Sequence, residues 1–218
     1  METSLRERST ETVFIVDDDV TFARGLARLV GAAGWKARVF PSAADFLEAA
    51  PSHDVEAGCV LLDVRMPGMR GPDLYRTMIA RQIDLPVVFL TGHGDVSTSV
   101  DAMKLGAVDF LEKPVRGETL ISAISTAIAR HVADRKKRGE RREVEARVAL
   151  LTPREREVMG HVVAGRLNKQ IASDLGISLK TVKAHRAKVM GKMDAKSLAA
   201  LVDLCRRVGV GGSAAASR

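Results

Sequence analysis

Four short apolar runs, each leading into a charged or hydroxyl-bearing residue, restrict what this chain of 218 residues can fold into. Val13 to Val16 leads into Asp17 and Asp18, Cys59 to Leu62 into Asp63, Val87 to Leu90 into Thr91, and Ala107 to Leu111 is followed one residue later by Lys113. Near-continuous apolar runs of this length are how strands covered on both faces read in a sequence, and such strands belong to parallel sheets. Ligands of open parallel sheets bind outside the carboxyl ends of the strands, so the four ends converge on one crevice. Three carboxylates, a hydroxyl and an ammonium then share a pocket.

Ala37 to Phe40 supplies a fifth strand. Phe22, Leu26, Leu29 and Val30 recur at helical spacing on a face ended by Gly31 and Gly34, and further helices are predicted through Phe46 and Leu47 and around 72–81, 95–104 and 118–131. Five strands alternating with five helices predict an α/β domain over 11–131, a doubly wound five-stranded parallel sheet.

Residues 132–147 lose the apolar stripe, gain charge and read as a linker, part helical, with Gly139 costing about 1 kcal/mol relative to alanine in a helix. Thr152-Pro153-Arg154-Glu155 then combines a capping box with a proline at the first helical position, which starts a helix over 153–164. Helices from Asn168 to Leu175, Ser178 to Met193 and Lys196 to Arg207 complete an all-α, four-helix domain over 148–208. Its two middle helices, joined by a turn at Gly176-Ile177, form a helix-turn-helix, an arrangement whose second helix enters the major groove of DNA. At 100° per residue, Val182, Val189 and Met193 share one side of that helix, with His185 and Arg186 at its margins. Opposite lie Ala184, Ala187 and Gly191, a strip of small residues flanked by Lys183 and Lys188 that lets the backbone approach base edges.

The charge distribution supports the division. Residues 1–131 hold 14 basic and 18 acidic side chains, 132–149 hold 7 and 4, and 150–218 hold 13 and 5, so the overall +7 resides in the second half. A basic segment behind an acidic one suits a polyanion-binding module joined to something else. No apolar run reaches the roughly 20 residues of a membrane span, and the polar stretch Met1 to Arg8 lacks a signal-peptide core, so a cytoplasmic location is expected. Cys59 and Cys205 read as free, buried thiols.

Two adjacent acids and a third from another strand end suit a hard divalent cation, Mg²⁺ above all. Asp63 could accept a phosphoryl group, Lys113 supply a cation and Thr91 a hydroxyl. Singly, each residue has a plain structural explanation, as helix cap, turn residue or solvated loop. Together, at four strand ends, they outweigh those explanations.

Val16-Asp17-Asp18-Asp19, Leu62-Asp63-Val64-Arg65-Met66-Pro67-Gly68-Met69, Leu90-Thr91-Gly92-His93-Gly94-Asp95 and Gly106 to Pro114 resemble the receiver domain of bacterial two-component response regulators. The resemblance implies strand order 2-1-3-4-5 and phosphoryl transfer to Asp63 from a sensor histidine kinase. It further implies Mg²⁺ bound directly by Asp18 and Asp63, through water by Asp17, and by the main-chain carbonyl of Arg65, with Asp19 a cap. Thr91 and Phe110 would form the switch, the hydroxyl moving to the phosphate and the ring turning inward behind it. Phe110 lacks the hydroxyl of the tyrosine many relatives carry, so only the packing half of that movement carries over. A cis Lys113-Pro114 bond is implied as well, and the side chains of Arg65 and His93 stand where relatives tune phosphate lifetime.

Leu151 to Val158, Asn168-Lys169-Gln170-Ile171-Ala172 and Ser178 to Arg186 resemble the LuxR/NarL/FixJ-type DNA-binding domain. Lys183, Ala184 and Ala187 then match base-reading positions, and Lys169, Lys180, Thr181, His185 and Lys188 match phosphate contacts on a double-stranded DNA operator. The last helix, through Leu198, Leu201, Val202 and Cys205, matches a dimerisation helix, although it could equally pack on its own domain. Together the halves resemble FixJ-type response regulators, which implies a phosphorylation-switched transcription factor acting with RNA polymerase. Phosphorylation would unmask the DNA-binding half or build a homodimer. A phosphotransfer enzyme is the rival reading, but such phosphatases place an acid two residues after the nucleophile, where this chain has Arg65. A constitutive DNA-binding protein with an inert receiver is disfavoured by Asp63, Thr91 and Lys113.

Overall fold

The structure is a computed structural model that describes residues 11–49, 57–92 and 106–210. The chain divides into two compact units, Met1–Asp134 and Arg135–Arg218. In the first unit β1 (Thr12–Val16), α1 (Val20–Ala32), β2 (Lys36–Phe40), α2 (Ala43–Glu48), β3 (Gly58–Asp63), α3 (Gly71–Ala80), β4 (Val87–Thr91) and β5 (Asp109–Glu112) follow in order. The strands are all parallel, as the apolar runs predict, and pair in the order β2-β1-β3-β4-β5 that the resemblance implies.

Alternation along each strand sends side chains to opposite faces, and both faces are covered. Phe14, Val16, Val60, Leu62 and Phe89 join an apolar layer with α2 and α3, while Val13, Ile15, Cys59, Leu61, Val88 and Leu90 join a second with α1. Two glycines permit close approaches that set the strand ends. A Cβ on Gly58 would strike the Thr12 carbonyl oxygen, and one on Gly71 would strike the Asp63 carbonyl oxygen, so α3 can start directly beside the end of β3.

Several expectations are corrected. Leu29 is exposed and Ala23 takes its place among the buried residues of α1, which runs through Gly31 to Ala32. β5 starts at Asp109 rather than Ala107, after Val108 has bonded the Val87 carbonyl. The expected helix at 95–104 lies outside the described residues. Residues 132–147 are helical throughout, not in part: α4 runs unbroken from Gly117 to Ala149 and contains Gly139. Ion pairs one turn apart support it, Arg141 with Glu145 and Arg147 with Glu143, each at 2.8 Å.

In the second unit α5 (Pro153–Val163), α6 (Asn168–Leu175), α7 (Leu179–Lys192) and α8 (Leu198–Arg207) follow. The Thr152–Glu155 capping box forms as expected, and Gly176 takes the left-handed conformation that ends α6. Val144 and Val148 at the end of α4 pack with Val158, Val162, Ile171, Val182, Val189, Leu201 and Cys205. The core of this unit therefore draws on five helices, not four. Cys59 and Cys205 are free and buried, and burial pushes both thiols up.

Candidate functional site

At the carboxyl edge of the sheet, Asp17 follows β1, Asp63 and Thr91 close β3 and β4, and Lys113 follows β5. Asp17, Asp63 and Thr91 are buried, and Asp18 is exposed. Lys113 reaches across the edge, its Nζ 2.6 Å from Asp17 Oδ2 and 2.7 Å from Asp63 Oδ1. The ammonium also sits over the Phe22 ring, 4.5 Å from its centroid. Phe22 counted only as an apolar position of α1 in the sequence, and no motif marks it as a site residue.

Main-chain donors hold the other carboxylate oxygens. The Arg65 N–H donates to Asp63 Oδ2 at 2.8 Å, and the Asp19 N–H donates to Asp17 Oδ1 at 3.0 Å. Asp19 itself accepts from Thr21 and Phe22 N–H and caps α1, as expected. The Lys113 N–H donates to the Thr91 carbonyl at 2.7 Å, which fixes the root of the lysine, and the Lys113–Pro114 bond is cis.

Asp17, Asp18 and Asp63 each offer an oxygen, and these three oxygens lie within 4.8 Å of one another. Hard carboxylate donors in that array fit a small divalent cation such as Mg²⁺. Burial pushes the Asp17 carboxyl up, and the Asp63 charge adds to this against the Lys113 hydrogen bond. Burial alone would lower the Lys113 ammonium, but its bonds to Asp17 and Asp63 prevail and raise it. Among the described residues the Lys113 ammonium bonds two of the three acids, Asp17 and Asp63.

The surroundings bear on the remaining predicted residues. The Thr91 hydroxyl donates to the Gly92 carbonyl at 3.1 Å. Half-buried Phe110 stacks on Phe89 with centroids 4.8 Å apart, and Phe89 meets Tyr75 edge-on. The Arg65 guanidinium lies so close to Gly92 that a Cβ there would stand 3.1 Å from it. His93 lies outside the described residues.

The second unit presents a separate surface. On α7, Lys183, Ala184, Ala187 and Lys188 are exposed and Val182 and Val189 buried, matching the sidedness read from the sequence. Lys169 and Lys180 are exposed, and the hydroxyl of half-buried Thr181 bonds that of Ser178 at 2.8 Å. His185 is half-buried, in keeping with its place at the margin of the apolar side, with Nδ1 enclosed and without a hydrogen-bond partner among the described residues. Arg186 Nη1 donates to Asn168 Oδ1 at 2.7 Å and ties the two helices of the motif together, a link across 18 positions that spacing does not announce.

Residues 13–125 match the response regulator receiver domain, and residues 149–205 match the luxR family of bacterial regulatory proteins. The transcriptional regulatory protein FixJ of Bradyrhizobium diazoefficiens is 44% identical over 91% of this chain and 96% of its own. Among solved structures, the response regulator StyR aligns with a TM-score of 0.80 at 40% identity, over 90% of this chain and 98% of its own. Full-length FixJ from B. japonicum aligns with a TM-score of 0.57 at 43% identity, over 92% and 98%. The chain belongs to the FixJ-type response regulators. It is a regulator of transcription that joins a phosphorylation-dependent receiver domain to a luxR-type DNA-binding domain. No described helix of this response regulator is long and apolar enough to cross a membrane.

Proposed function

We propose that Asp63 is the phosphoacceptor of this regulator and that its phosphorylation in the cytoplasm by a sensor histidine kinase controls operator binding. The observation that carries the reading is the seat of its carboxylate, one oxygen on the Lys113 ammonium at 2.7 Å and the other on the Arg65 N–H at 2.8 Å, beside Asp17 and Asp18. In the transfer, a carboxylate oxygen of Asp63 bonds to phosphorus as the phosphorus–nitrogen bond to the kinase histidine breaks. The departing imidazole keeps the electron pair and takes up a proton. Mg²⁺, held by Asp17, Asp18, Asp63 and the Arg65 carbonyl, would neutralise charge on the phosphoryl oxygens. Lys113 opposes the same charge from the sheet side.

Thr91 and Phe110 form the switch. The Thr91 hydroxyl leaves the Gly92 carbonyl for a phosphoryl oxygen, and the Phe110 ring turns inward across Phe89. The change builds a homodimer surface or frees the DNA-binding domain. Lys183, Ala184 and Ala187 then read base edges of double-stranded DNA, while Lys169, Lys180, Thr181, His185 and Lys188 contact phosphates. RNA polymerase is the downstream partner. The only covalent chemistry is phosphorylation of Asp63 and its hydrolysis, which Arg65 and His93 modulate.

Binding to duplex DNA by the wild type and Asp63→Asn, each with and without acetyl phosphate and Mg²⁺, tests the proposal. Phosphodonor-dependent binding by the wild type alone is expected. Equal affinity in all four conditions overturns it.

A further inference from the structure

The carboxyl ends of α4 and α7 are tied to each other in both directions. Arg147, in the last turn of α4, donates from Nη1 to the carbonyl of Met193, the residue that ends α7, at 3.0 Å. Lys192, in the last turn of α7, donates from Nζ to the carbonyl of Leu150, just beyond the end of α4, also at 3.0 Å. Both cations lie where a helix dipole is negative and carbonyls lack intrahelical partners, so each bond satisfies a group that would otherwise need water.

Other groups brace the crossing. Lys192 also meets buried Glu155 Oε2 at 2.6 Å, and the same oxygen accepts the Thr152 N–H at 2.9 Å in the capping box of α5. Arg147 additionally faces Asp194 at 3.7 Å, a residue with the left-handed φ of 50° that turns the chain out of α7. Arg156 donates to the carbonyls of Val148 and Leu151 at 3.3 Å. Beneath these bonds Val144 and Val148 lie in the core of the unit. Arg147 and Val144 precede the luxR-family match, which starts at residue 149.

We propose that Arg147 and Lys192 are positioning residues for DNA reading, which set the pitch of α7 by clasping its carboxyl end to the last turn of α4. The inference rests on the reading of α7 as the helix that enters the major groove. Lys192 stands nine positions beyond Lys183, about 14 Å along the helix, so it acts on base edges through the orientation of α7 and not by touching them. The helix that enters this unit is the same one that leaves the receiver fold, and the clasp makes its last turn part of the reading head.

The test uses the full chain with acetyl phosphate and Mg²⁺ throughout, and two probes, a duplex enriched from a random pool by the wild type and a scrambled duplex of the same length. Loss of folded protein weakens binding to both probes equally and cancels in their ratio, whereas a tilted α7 changes the ratio. Arg147→Met and Lys192→Met are expected to lower the preference for the enriched duplex roughly tenfold, the order of one charge-assisted hydrogen bond. Val144→Ala, a packing change alone, is expected to lower stability and leave the ratio within about twofold. If either methionine variant fails to fold, Arg147→Lys carries the comparison, because it keeps a donor for one carbonyl but loses the fork that also meets Asp194. A ratio in the clasp variants equal to wild type overturns the inference alone. Absence of any preference in the wild type overturns the reading of α7 and the inference with it.

Discussion

Each half of this regulator contains a lysine bonded to a buried acid at 2.6 Å, and the two sites behave in opposite ways. In the receiver, Lys113 is shared between two carboxylates, Asp17 and Asp63, with Asp18 close to both, and burial still pushes Asp17 up. In the DNA-binding unit, Lys192 answers Glu155 alone, the Thr152 N–H adds a second donor, and the glutamate falls to about 2. A matched pair that is also bonded to the main chain on both sides is a strut. An acidic cluster with too few cations is stabilised further by added positive charge, and a metal ion supplies it. Buried ion pairs of equal length thus mark structure in one place and chemistry in the other, and the difference lies in the charge count.

Removing the two lysines breaks the comparison most sharply. Lys113→Met is expected to slow phosphorylation of Asp63 by acetyl phosphate by about 100-fold, the order found when one preorganised cation or donor is lost from a charged transition state. Lys192→Met is expected to leave that rate unchanged. Intact-mass spectrometry over time gives both rates, and equal slowing in the two variants would show that the receiver lysine acts only through folding.

Asp17→Asn tests the acidic cluster. A buried acid whose folded value is raised favours the fold at pH below its unfolded value near 4 and opposes it as pH climbs through the folded value. At neutral pH the variant without metal is therefore expected to melt above the wild type. Its response to Mg²⁺ should fall, with affinity reduced about tenfold on loss of one carboxylate from the array. Thermal unfolding with and without Mg²⁺ measures both, and a wild type that melts higher in the absence of metal would refute the account of the pocket.

The legibility of the two sites differs for physical reasons. Strand ends are visible because parallel strands are buried on both faces and read as apolar runs, so the polar residue after each run stands out, as Asp17, Asp63 and Thr91 do. The exposed face of α7 follows from helical period alone. The clasp at Arg147 and Lys192 was hidden because its partners are main-chain carbonyls more than 40 positions away, and a carbonyl has no residue signature. The unbroken α4 escaped because its middle is charged on all sides and includes Gly139, which makes helical persistence look like a linker. The enclosed Nδ1 of His185 was hidden because periodicity places a side chain on a margin without fixing which ring nitrogen is enclosed.

Glu155→Gln sharpens the structural side. A carboxyl depressed from 4.5 to about 2 contributes stability that is full above its unfolded value and lost as pH falls through that interval. The wild type is expected to exceed the variant in stability at neutral pH, and the gap should close between pH 4.5 and about 2. Urea unfolding of the two proteins across that range supplies the test, and a gap independent of pH would assign the effect to packing.

The smallest effect belongs to Phe22, which takes part in the chemical site without a polar atom. Its ring covers one side of the Lys113 ammonium at 4.5 Å, an arrangement worth about 0.5–1 kcal/mol at a partly exposed position. Leucine keeps much of the apolar volume and removes the quadrupole, whereas tyrosine keeps the ring. Phe22→Leu is expected to slow phosphorylation about two- to fivefold and Phe22→Tyr to restore it, by the same mass measurement. Equal rates in the two variants would reduce Phe22 to a packing residue of α1 and leave Asp17 and Asp63, among the described residues, to restrain the Lys113 ammonium.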